Sequence, residues 1–116
     1  MGRHILHSES MRNANINIVF IDDASMLRLN ERYLKHRFPT DVLSFSLADD
    51  HAAPEGEVYV NLDQAHRQAE DYRTDAREEI ARLIVHGVLH LIGYRDGTAS
   101  ERRAMTDLEN FYLRRF

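Results

Sequence analysis

The chain has 116 residues, a formal net charge of −4, 43% hydrophobic and 29% charged residues, and no cysteine. That size and balance fit one globular domain spanning residues 1–116. They exclude disulfides and thiolate metal sites, and they argue against a surface that grips nucleic acid all round. The charge is uneven: ten acids and three arginines lie between Asp49 and Glu79, whereas Arg28, Arg32, Lys35 and Arg37 are opposed only by Glu31. Arg95, Arg102 and Arg103 form a second basic cluster.

In chain order, RHILHSE near the start is a candidate strand, and NINIVFI (Asn15 to Ile21) is a firmer one, alternating and β-branched. IDDASMLRLNERYLKH then reads as a helix, with Asp22 or Asp23 placed to cap it and Met26, Leu29 and Tyr33 at helical spacing. TDVLSFSL (Thr40 to Leu47) and GEVYVNL (Gly56 to Leu62) are two further strands around the loop DDHAAPEG. Asp63 is expected to cap a helix running to about Tyr72, and Asp75 with Glu78 resembles a capping box opening the next. Thr98 with Glu101 repeats that signature for a last helix ending near Leu113. The order β, α, β, β, α, α, α predicts an α+β fold, a small mixed sheet packed with helices.

The N-terminal MGRHILHSES lacks the apolar stretch of a signal peptide. The longest apolar run, Leu83 to Ile92, falls far short of the ~20 residues that span a bilayer and holds two histidines. A cytoplasmic location without a membrane partner is expected.

LIVHGVLHLIGYRD (Leu83 to Asp96) carries the chemistry. Residues four apart on a helix lie one above the other, so His86 and His90 can reach one ion at ~2.0–2.1 Å. Gly93 suits a left-handed helix end, and Asp96 can return beside the pair. The spacing follows the metalloprotease pattern H-E-x-x-H-x-x-G-x-x-H, with Asp96 for the third histidine and Gly87 for the glutamate. Gly87 has no side chain to take a proton from water, which tells against a peptidase. A glycine inside a helix costs about 1 kcal/mol against alanine, so it is expected to mark a close approach of backbone or substrate.

These segments, with LNERYLKHRFPTDVLSFSL, GEVYVNLDQAHRQA and the later Glu101, Met105 and Glu109, resemble the YbeY-type endoribonucleases, also described as ribosomal RNA maturation factors. The resemblance runs from about Asn17 to Glu109. It implies a zincin-like metal-binding helix in an α+β fold, one Zn2+ per chain, and single-strand-specific cleavage of RNA rather than DNA. It also implies a role in ribosomal RNA maturation and ribosome quality control, with the small ribosomal subunit and a ribosome-associated GTPase as partners. His86 and His90 match the family's first two metal ligands, and Asp96 takes the place of the usual third histidine. Leu34 stands where the family commonly has an arginine; Arg37 and Arg95 are the candidates to bind substrate in its stead.

No general base is identified, and the attacking group stays open between metal-activated water and the RNA's own 2′-hydroxyl. A non-catalytic, metal-stabilised ribosome-assembly factor is the alternative, and a zinc peptidase ranks below it.

Overall fold

The computed structural model describes residues 15–34, 40–47 and 55–114. Strand β1 (Asn15–Ile21) leads into helix α1 (Asp23–Leu29), whose backbone continues as a π-helical turn over Asn30–Leu34. Strands β2 (Val42–Ser46) and β3 (Glu55–Asn61) follow, then helices α2 (Leu62–Tyr72), α3 (Ala76–Leu91) and α4 (Ala99–Leu113). The candidate strand in RHILHSE lies outside the described residues, as do Arg37 and His36.

The sheet order is β1-β3-β2, with β3 parallel to β1 and antiparallel to β2. The expected small mixed sheet packed with helices is thus found. Alternation along β3 sorts its side chains: Gly56, Val58 and Val60 are buried, while Glu57 and Tyr59 on the other face are half-buried. The buried face receives α3, which also touches α2 and α4 and so forms the centre of the core. Val85, Val88 and Leu89 of α3 are fully buried, each burial contributing on the order of 1.5–3 kcal/mol.

Gly87 is where this helix comes closest to the sheet. A Cβ there would collide with Val58 Cγ1 and crowd Ser44 Oγ at 3.1 Å and Val42 Cγ2 at 3.2 Å. The Ser44 hydroxyl donates to the Gly87 carbonyl at 2.9 Å, pinning β2 to the middle of α3. The close approach expected at Gly87 is therefore made by the protein's own sheet.

The capping residue agrees with the sequence in three helices of four, although the box expected between Asp75 and Glu78 is replaced by a bond to Arg77. Asp22 caps α1 by accepting from the Ser25 amide, and Asp75 caps α3 by accepting from the Arg77 amide. Thr98 and Glu101 form a full capping box on α4. The correction is at α2, where Asn61 and not Asp63 is the cap. The Asn61 Oδ1 accepts from the amides of Asp63 and Gln64, and its Nδ2 donates to Asp23 Oδ1 and the Thr40 carbonyl. Asp63 sits two residues later and accepts from the Asp23 amide at 3.0 Å. Asn61 is completely buried at a junction of three segments, which only the folded chain assembles.

Candidate metal centre

On α3, Arg82, His86 and His90 recur every four residues and follow one another along one side of the helix. The helix ends with Ile92 as its cap, followed by Gly93 at φ 109°. The Gly93 amide donates to the His90 carbonyl at 3.1 Å and the Tyr94 amide to the Leu89 carbonyl at 3.0 Å, the paired bonds of a Schellman ending. Five residues later Thr98 caps α4. The loop between two such well-defined ends is short, and it turns Asp96 back over the histidine face.

Three side-chain atoms meet there. His86 Nε2 and His90 Nε2 are 3.0 Å apart, and Asp96 Oδ2 lies 3.3 Å from the His90 nitrogen and 3.4 Å from the His86 nitrogen. A tetrahedral ion with bonds of ~2.0 Å has ligand-to-ligand edges of about 3.3 Å, so the triangle matches one face of such a polyhedron. The donor set, two imidazoles and a carboxylate, is one that holds Zn2+ and related divalent ions. The three residues that the spacing singled out are the ones brought together, and they form a group that can hold a metal ion.

The site is open on one side. The side chains of His86, His90 and Asp96 keep 24%, 30% and 41% of their exposure, and among the described residues no fourth histidine or acid joins the group. Three protein ligands with an accessible fourth position is the arrangement of catalytic rather than structural zinc sites.

His86 has a second partner that the sequence did not assign to the site. Its Nδ1 donates to Glu109 Oε2 at 2.7 Å. Glu109 is a buried acid of α4, on the stripe that also buries Met105 and Tyr112. A carboxylate on an apolar stripe is the sequence signal that marks it, but its partner is 23 residues away in the chain. Burial of the imidazole opposes its protonation, yet the Glu109 hydrogen bond, with the Glu109 and Asp96 charges, outweighs it and raises the His86 pKa.

Arg95 is exposed in the loop next to Asp96, where it can meet an incoming anion, and Arg102 and Arg103 are exposed on the first turns of α4. Arg37 is the sequence-derived substrate residue that falls outside the described part. Among the remaining histidines, His66 is exposed on α2.

Comparison with known proteins gives one consistent answer. The family model described as Endoribonuclease YbeY matches residues 3–116. A protein named Endoribonuclease YbeY from Amoebophilus asiaticus is 34% identical over 110 residues, covering 95% of this chain and 75% of the relative. One of the same name from Chloroherpeton thalassium is 37% identical over 109 residues, covering 94% and 77%. In fold, the chain is similar to the solution structure of TM1509 from Thermotoga maritima, with a TM-score of 0.71 at 22% identity over 97% of this chain and 74% of the other.

Proposed function

The chain belongs to the Endoribonuclease YbeY family, and from that premise we propose that it is a hydrolytic endoribonuclease that cleaves single-stranded RNA in the maturation of ribosomal RNA. The observation that carries the metal-dependent part is the triangle of His86 Nε2, His90 Nε2 and Asp96 Oδ2, which we assign to one Zn2+. Small ribosomal subunits are the proposed setting, with a ribosome-associated GTPase as a further partner and the cytoplasm as the compartment.

A divalent ion held by these three residues supplies Lewis acidity toward a phosphoryl oxygen and acidifies water. The chain's own groups do the rest. Glu109 keeps the His86 proton on Nδ1, so that Nε2 presents a lone pair to the centre. Arg95, exposed beside Asp96, offers a guanidinium to the phosphate backbone, to which it can bond in bidentate fashion. Gly87 cannot serve as a base, and a larger residue in its place would drive into Val58 rather than toward the opening. That packing supports a phosphodiesterase over a peptidase, and the accessible fourth position supports catalysis over a closed structural site.

The test is cleavage of a labelled single-stranded RNA by wild-type protein, by chelator-treated protein and by Asp96→Ala, with elemental analysis of each. Cutting by the wild type only, with about one zinc per chain lost in the variant, is the expected pattern. Equal cutting by all three samples would refute metal dependence; binding of zinc with no cutting under any condition would refute the nuclease.

A further inference from the structure

Glu109 spends both of its oxygens on the two helices' shared face. Oε2 accepts from His86 Nδ1 at 2.7 Å, and Oε1 accepts from Arg82 Nη1 at 3.1 Å. Arg82 Nη2 in turn donates to Asn110 Oδ1 at 2.8 Å, so the guanidinium bridges two successive residues of α4 from its place on α3. Glu109 keeps only 7% of its exposure. A carboxylate so far out of water is costly unless its charge and its lone pairs are both met, and here one cation and one imidazole N–H meet them.

The order of the partners matters. Arg82 lies one helical turn before His86 on the same face. It fixes Oε1 and leaves Oε2 aimed at a single ring nitrogen. With the Nδ1 proton committed to Glu109, the imidazole is held in one tautomer and one orientation, and Nε2 is left 3.0 Å from His90 Nε2 and 3.4 Å from Asp96 Oδ2. A carboxylate behind a ligand histidine also strengthens it as an electron donor.

We propose that Glu109, aligned by Arg82, is a positioning residue for the metal centre: the pair sets the tautomer and direction of His86 and thereby the affinity of the site for a divalent ion. The proposal rests on the metal-site assignment above, and not on the identity of the RNA. It makes α4 part of the site although none of its residues stands among the three ligating groups.

The experiment is a zinc titration of the full chain against a chelating dye, run on wild type, Glu109→Gln, Arg82→Gln and the double variant. Each is followed by 15N NMR of the histidine rings in the zinc-loaded state and by thermal unfolding. Glu109→Gln keeps the size and removes the charge. It is expected to weaken zinc binding about 10–100-fold and to broaden or lose the slowly exchanging His86 Nδ1–H signal. Arg82→Gln is expected to weaken binding less, and its effect is expected to vanish in the Glu109→Gln background, since it acts through that carboxylate.

A merely structural clasp between α3 and α4 would lower the unfolding temperature of the variants while leaving zinc affinity and the Nδ1–H signal intact; that result overturns the proposal. Additive losses in the double variant overturn the role given to Arg82. Should Glu109→Gln fail to fold, Arg82→Gln alone decides, an unchanged zinc affinity again counting against it. Wild type that binds no zinc would defeat both this proposal and the metal assignment. Wild type that binds zinc but cuts no RNA would defeat the nuclease alone.

Discussion

Gly87 of α3 and Val58 of β3 are in such close contact that the helix residue has no room for a Cβ. The contact sits one residue beyond the first histidine of the site, so it sets how deep the metal-binding face lies against the sheet. Gly87→Ala gains about 1 kcal/mol in helix propensity. Overpacking a tight core costs about 1–3 kcal/mol, occasionally more, and is expected to win because Val58 is itself fully buried. Urea unfolding should show a net loss of stability, and Gly87→Glu should prevent folding altogether. An alanine variant more stable than wild type would mean that the sheet can retreat at no cost.

Metal removal should loosen the α3–α4 loop before the core. An ion held by the proposed triad would tie Asp96 in the loop to two residues of α3, and one that binds only the folded chain stabilises it by mass action. At free zinc 100-fold above the dissociation constant the gain is about 2.7 kcal/mol. Hydrogen exchange on chelated protein is expected to speed up around Tyr94 to Gly97 and to stay slow at Val85 and Leu89, which are fully buried. Uniform loss of protection would show instead that the ion supports the whole domain.

Acid stability should depend on Asp23. Its carboxylate accepts from both terminal nitrogens of Arg67, at 2.7 and 2.8 Å, and from Asn61. The Arg67 and Asn61 hydrogen bonds hold its pKa down to about 2, against an ordinary 3.8. A folded-state pKa below the unfolded one contributes stability above the unfolded value, and that contribution is lost as pH falls through the folded value. Asp23→Asn should therefore melt below wild type at pH 7, with the gap closing between roughly pH 5 and pH 1. The pair is partly exposed, so solvent and salt screen it and the gap should be small. A gap that is the same at pH 7 and pH 2 would assign the effect to packing.

Glu79 should show the opposite sign. It is 6% exposed on α3, and burial raises its pKa despite the opposing pull of Arg82, with Asp41 and Glu109 adding to the rise. A raised folded-state pKa gives a contribution that is present below the unfolded value and lost as pH rises through the folded one. Glu79→Gln is thus expected to melt above wild type at pH 7 and level with it near pH 4. Equal melting at both values would mean that Arg82 compensates the buried charge in full.

The metal triad was legible because every rule behind it is local. Spacing of four aligns two imidazoles, glycine after a helix reverses the chain, and a threonine cap restarts it five residues on. Asp96 is placed by those ends, so its arrival beside the histidines follows from the thirteen residues from His86 to Thr98. The capping residue of α2 was not legible. Asn61 and Asp63 can both cap by chemistry alone, and burial of Asn61 between Thr40 and Asp23 settles it.

The sequence by itself determined the mixed α+β class, the family and the three residues that meet as the candidate metal centre, since each rests on periodicity or a contiguous motif. Only the tertiary structure decided that Gly87 answers to Val58 and that Glu109 and Arg82 stand behind His86. Those pairings join residues 29 positions apart in the first case and 23 and 27 in the others. No local rule reaches that far. The relative depth and rotation of α3 against the sheet and α4 fix them, through the volume of the side chains packed between.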